Sequence, residues 1–273
     1  MKMNRLHKTA LVTLLAIGVG VGILPRLEEA KAAPSAREIM EKVVTTRKLD
    51  GSEAVVKMSI VNEKGEKRER QITMATKLYD NGQTEKRLYR FLAPADVKGT
   101  GVLIYDYDKQ ADDTWIFLPA LRKTRRVVSS QRAQSFMGSE FSYGDLNIPT
   151  LDEFDYKLLK EESAGGEPCF MIEVTPKSKD IATAEGYSKK IYWVSTKKFA
   201  VVQGHYFDMD GKLLKELKSS KIQLIDTKNN RYRAMHMEMV NKQNGRKSVF
   251  DSEKVTFAPD TKDEYFTTRF LEQ

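Results

Sequence analysis

Residues 51–93 read GSEAVVKMSIVNEKGEKRERQITMATKLYDNGQTEKRLYRFLA. Ala54, Val56, Met58 and Ile60 alternate with more polar neighbours. After a Glu63-Lys64-Gly65 turn, Ile72, Met74 and Leu78 do the same. A period of two puts one set of side chains on one face of a strand. Asp80-Asn81-Gly82 then marks a second reversal before residues 86–92, so this stretch predicts three consecutive antiparallel strands.

The same grammar extends to the C-terminus. Turn signals recur at Gly165-Gly166, Asp210-Gly211, Asn229-Asn230 and Asn244-Gly245. They separate strand candidates at 102–107, 114–118, 154–160, 169–175, 187–194, 200–207, 231–241 and 247–257. Residues 212–226 are ambiguous, because Leu213, Leu214 and Leu217 suit a helix and Ile222, Leu224 and Ile225 suit a strand. Upstream, residues 35–48 carry Ile39, Met40, Val43 and Val44 at helical spacing, with Ser35 as N-cap and Glu38 at the capping-box position. Hairpins without βαβ crossovers predict an α+β, mostly antiparallel β protein. Such a meander buries one face as a sandwich, as a barrel, or by curling around a helical lid. No linker divides residues 33–273, which are expected to form a single domain.

The first 32 residues read as a signal peptide. Lys2, Arg5 and Lys8 precede an uncharged run at residues 9–24, and Ala30-Lys31-Ala32 offers a cleavage pattern, so export with processing near Ala32 is expected. The remaining chain holds 41 Lys+Arg against 36 Asp+Glu, a net charge of +5. Outside the cytoplasm such a balance points away from nucleic acid and toward anionic headgroups or an acidic partner.

Two features single out candidate functional residues. Met235, Met237 and Met239 alternate on one strand candidate and Met171 lies on another. Methionines grouped on one face make an adaptable apolar surface. Residues 115–146, WIFLPALRKTRRVVSSQRAQSFMGSEFSYGDL, begin with a strand carrying Trp115 and Phe117. They continue through a basic run containing Arg122, Arg125 and Arg126, and end in an apolar loop with Phe136, Met137, Phe141 and Tyr143. The basic run suits an anion or an acidic partner, or else a solvated hairpin tip pairing with Glu140 and Asp145. The loop either caps a core or covers a ligand site.

The strings Trp115–Lys123, Arg125-Arg126 and Ser135–Leu146, with the ending Tyr265–Leu271, resemble the outer membrane lipoprotein-sorting proteins, relatives of the LolA and LolB carriers. The chain is similar to a branch longer than LolA itself. That resemblance implies an unclosed (half) β-barrel with helices covering its concave side, around a cavity for acyl chains. It also implies a periplasmic carrier moving a lipoprotein or lipid toward the outer membrane, with an inner-membrane lipid transporter as partner and transient membrane contact. On that basis Trp115, Phe117, Met171, Met235, Met237 and Met239 are expected to line the cavity. Phe136, Met137, Phe141 and Tyr143 are expected to form its lid, and Arg122, Arg125 and Arg126 to meet headgroups or a partner.

Catalysis is not expected. No P-loop, GxSxG or HExxH motif occurs, and neither His205 nor His236 has a nucleophile beside it in sequence. The single cysteine, Cys169, sits between Pro168 and Phe170, an apolar setting that disfavours the thiolate. Asp106-x-Asp108 and Asp208-x-Asp210-Gly211 lack the further acidic ligands of a calcium loop. No metal or cofactor is expected. The alternative to a carrier is a non-enzymatic envelope scaffold or accessory of a lipid-exporting transporter, using the same sheet as a docking face.

Overall fold

The computed structural model describes residues 33–273, and the expected signal peptide lies outside them. Strands β1 (Gly51–Val61), β2 (Lys67–Tyr79) and β3 (Thr84–Ala93) form the meander that the opening stretch predicts. It continues through β4 (Gly101–Tyr107), β5 (Asp113–Leu118) and β6 (Lys123–Val127) to one edge. On the other side of β1 come β13 (Lys247–Phe257), β12 (Arg231–Asn241), β11 (Leu213–Asp226), β10 (Val201–Phe207), β9 (Lys189–Ser195), β8 (Glu167–Pro176) and β7 (Phe154–Ala164). All pairs are antiparallel, and β1 with β13 joins the two meanders into a single 13-stranded sheet. Edges β6 and β7 do not pair with each other, so the barrel is open.

Two of these strands go beyond the sequence reading. The run Lys123–Val127 is β6, an edge strand held by β5 alone. Its charges suit an edge, where they discourage pairing with another chain. The ambiguous residues 213–226 are β11, a single long strand.

Helix α1 (Ala36–Arg47) covers one part of the concave face. Its start is fixed as the sequence predicts: Glu38 N–H donates to Ser35 Oγ at 3.2 Å, and Ser35 N–H donates to the Glu38 carboxylate at 2.7 Å. Its apolar stripe, Ile39, Met40 and Val43, packs on Phe154, Phe170, Ile172, Val174 and Val194 from β7–β9. Each such side chain contributes about 1.5–3 kcal/mol by leaving water. The segment between β6 and β7, including the short helix α2 (Tyr143–Leu146), covers the rest of the face. A further helix, α3 (Lys179–Glu185), ends at Gly186 in the left-handed region. A Cβ there would stand 2.8 Å from that of Ala133, so glycine allows the β6–β7 segment to lie close.

The convex face of β2–β5 is also buried. The C-terminal segment, ending in α4 (Thr268–Leu271), lays Phe266 and Leu271 across Ala75, Leu88 and Leu103. Arg90 ties it down by donating to the Phe270 carbonyl at 2.7 Å. Strands β2–β5 therefore carry apolar residues on both faces.

Candidate functional site

Between the concave face and its cover lies a cavity of about 260 Å³. Much of its sheet wall is apolar: Met237 and Met239 of β12, Phe250 and Val255 of β13, Leu217 of β11, and Val56, Ile72 and Met74 of β1 and β2. Met40 and Val43 of α1 close it from above, with Phe141, Leu146 and Ile148.

The expected site residues divide among three places. Phe141, Met237 and Met239 line the cavity, and the Phe141 ring lies 4.7 Å from that of Phe250. Phe136, Met137 and Tyr143 belong to the same apolar core but stand behind the cavity wall. Phe136 is fully buried, with ring neighbours Tyr89, Tyr143, Phe91 and Phe250 at 5.6, 5.6, 6.2 and 6.3 Å, so it plugs the sheet instead of covering a ligand. Met235 is buried without lining the cavity.

Trp115, Phe117 and Met171 require correction, because they lie on the convex side. Their neighbours Ile116 and Ile172 point inward, and a period of two sends the flanking residues outward. Trp115 and Phe117 pack beneath the C-terminal segment, with Trp115 5.0 Å from Tyr105. Met171 packs with Cys169, Trp193 and Val202, where burial pushes the Cys169 thiol above its ordinary range. The basic residues lie at the β5–β6 tip and edge, away from the cavity. Arg122 sits in a left-handed turn, Arg125 is exposed, and Arg126 pairs with Asp113. The acids first considered as their partners are engaged elsewhere: Glu140 with Arg246 at 3.0 Å, and Asp145 with Ser142 and Tyr187.

Charged residues form two buried groups at the cavity wall, and sequence reasoning did not single them out. In the first, the Arg87 guanidinium pairs with Asp106 and donates to the Leu146 carbonyl. Desolvation opposes its charge, but Asp106 and Glu85 outweigh that and raise its pKa. The Ile148 N–H donates to Asp106 at 2.7 Å, and Asn147 donates to Asp112 at 2.6 Å. Two carboxylates of the β4–β5 hairpin thus clasp the cover. Desolvation, then the Asp106 charge, pushes Asp112 up to about 7. Arg233, reached from β12, is drawn down to about 10, chiefly by desolvation.

In the second group, Lys190 of β9 donates to Glu185 at 2.6 Å, and Arg132 approaches Glu153 at 3.3 Å and Glu185 at 3.5 Å. Desolvation works against both ions of the Lys190–Glu185 pair, yet their mutual attraction raises the lysine pKa and lowers that of the glutamate. Such pairs fix the cover's position more than they stabilise it. A signal for both groups is present in sequence: Glu85, Arg87, Tyr89 and Phe91 share one strand face, as do Lys190, Tyr192 and Val194. Charges at apolar positions of the alternation have to be paired inside.

Among the described residues, no cluster of three or more His, Cys, Asp or Glu is placed to hold a metal ion. Chemically, the cavity offers apolar burial beside fixed charges.

Comparison with known proteins follows the fold. A family model described only as an uncharacterized protein matches residues 83–273. No curated protein matches the chain. A structure provisionally described as an outer membrane lipoprotein-sorting protein domain from Vibrio parahaemolyticus is similar at 28% identity and TM-score 0.79, covering 87% of this chain and 98% of its own. A DUF1329 family protein from Desulfovibrio piger is 29% identical with TM-score 0.79, covering 86% and 97%. A LolA superfamily protein from Nitrosomonas europaea shares the fold at 21% identity and TM-score 0.65, covering 87% and 100%.

Proposed function

This chain belongs to the LolA-like family, and on that premise we propose that it is a periplasmic carrier. It would hold an acyl chain of a lipoprotein or lipid in the cavity and pass it toward the outer membrane. The carrying observation is the apolar, methionine-bearing cavity under a cover of α1 and the β6–β7 segment. A buried chain gains about 0.8 kcal/mol per methylene, and a bilayer offers the same, so the cavity has only to compete evenly. Methionine suits that task, since its flexible side chain accepts varied shapes.

At about 260 Å³ the cavity is smaller than the roughly 300–1,000 Å³ of typical small-molecule sites. Admission of a full-length chain therefore requires the cover to move. The β5–β6 tip supplies a surface for transient membrane contact: Leu121 is exposed there beside Arg122, Lys123, Arg125 and Arg126.

The test is to purify the mature protein from an envelope fraction, extract it with organic solvent and analyse lipids by mass spectrometry. Co-purified acyl lipid in wild type, lost in Met237→Glu with the fold retained by circular dichroism, is the expected result. Lipid recovered equally from both proteins would remove the cavity from the reading. Reproducible absence from wild type would favour the scaffold alternative.

A further inference from the structure

One end of the cavity carries polar groups that the protein does not satisfy by itself. Arg47 of α1, Arg87 of β3 and Arg233 of β12 all line it. Arg87 is engaged by Asp106, Asn147 and the Leu146 carbonyl, and Arg47 donates to the carbonyls of residues 146 and 147 at 3.4 Å each. The Arg233 guanidinium makes no hydrogen bond among the described residues. Its approach to Glu85 Oε1 is 3.7 Å, beyond hydrogen-bond reach, and its side chain retains 19% exposure. Glu85 is 3% exposed, and its Oε1 has no hydrogen-bond partner among the described residues.

Arg233 and Glu85 form an ion pair at 3.7 Å, and Arg87 Nε stands 3.5 Å from the other Glu85 oxygen, but these contacts leave Glu85 Oε1, Arg87 Nε and the Arg233 guanidinium without hydrogen bonds among the described residues. Buried charged groups with hydrogen bonds unmade are costly, so this wall marks a place for a polar group of a ligand. Three guanidinium groups face Glu85 and Asp106 there. Asp112, the remaining acid, is held largely protonated below neutral pH by burial and by Asp106. Arginine presents a planar fork that matches the oxygens of a phosphate or carboxylate. The apolar wall of Met237, Met239 and Phe250 borders the same space.

We propose that the cargo is an anionic amphiphile: its phosphate or carboxylate sits against Arg233, with Arg47 behind, and its chain lies along Met237, Met239 and Phe250. A hydroxyl or protonated acid on the head would donate to Glu85 Oε1. This rests on the carrier reading and specifies which end of the lipid the protein recognises.

The experiment compares dodecyl phosphate, dodecanoate and dodecan-1-ol at submicellar concentration by isothermal titration calorimetry. Wild type should bind both anions about tenfold or more tighter than the alcohol, the effect of a charge-assisted hydrogen bond. Arg233→Met should erase that preference while keeping affinity for the alcohol, and Arg233→Lys should restore part of it. Because Arg233→Met removes one of the two cations paired with Glu85, leaving Arg87 at 3.5 Å, the double variant Arg233→Met/Glu85→Gln serves as the charge-balanced control and should also show no preference. Equal affinity of wild type for the three ligands would overturn this inference and leave the carrier reading intact. Failure of all three to bind would strike the carrier reading itself. Displacement of dodecyl phosphate by inorganic phosphate at similar concentration would assign the site to a free anion, and would equally overturn the proposal.

Discussion

At the scale of single residues, the buried acids make the cover sensitive to pH. Asp112 has its pKa pushed to about 7 from an ordinary 3.8, because the β4–β5 hairpin buries it beside Asp106. A carboxyl whose folded value is raised favours the folded state in its protonated form. That contribution is complete below about pH 4 and disappears as pH rises through about 7. Wild type should therefore lose thermal stability between about pH 4 and pH 7, and Asp112→Asn should lose markedly less. Parallel melting curves with the same slope against pH would show that Asp112 does not titrate in this window. The bond from Asn147 to Asp112 links this titration to the cover directly above the cavity. Little of this was legible in sequence. Asp112 reads as one of four aspartates in a hairpin, and only the fold brings Asp106 and Arg87 to it.

At the scale of elements, legibility depends on whether an element has one buried face or two. Helix α1 announces itself through Ser35, Glu38 and a single apolar stripe, all of which the structure keeps. Because that stripe is also part of the cavity roof, its cap has a functional reach. Ser35→Ala should destabilise the protein by about 1 kcal/mol, read from urea denaturation, and increase hydrogen exchange of the first turn of α1. An unchanged midpoint would mean that packing of Ile39, Met40 and Val43 alone holds the helix start. Strand β5 shows the opposite case. Ile116 faces the concave core while Trp115 and Phe117 lie under the C-terminal segment, so its alternation is apolar on both faces and gives no sign of which one is inside. Strand β11 hides for a related reason: Leu217 faces the cavity and Ile222 the convex side, and the mixture mimics a helical period. Trp115, Phe117 and Met171 were misplaced where both faces are covered; of the three methionines on β12, Met237 and Met239 border the cavity and Met235 is buried outside its lining.

At the scale of the whole molecule, cargo binding and surface contact are separated in space and rest on different forces. The cavity lies beneath α1 and the β6–β7 segment, while the basic tip lies at a free edge of the sheet, where Leu121 is 68% exposed and Val128 50% exposed. Apolar burial is insensitive to moderate salt, whereas attraction between exposed charges and an anionic surface is screened over about 10 Å at 0.1 M ionic strength. The two activities should therefore respond separately. Sedimentation with vesicles containing anionic phospholipid should fall steeply as salt rises, and should be weakened by Leu121→Asp or by joint replacement of Arg122 and Arg125 with Gln. Uptake of a fluorescent fatty acid by the same variants should stay at the wild-type level, because none of these residues lines the cavity. Met237→Glu should do the reverse, losing uptake and keeping vesicle binding. Each exposed cation near the surface contributes about 1 kcal/mol, so removing two arginines should weaken vesicle binding by more than tenfold at low salt. Vesicle binding unaffected by salt and by these replacements would move the membrane contact to another face of the molecule and leave the basic tip as a solvated sheet edge.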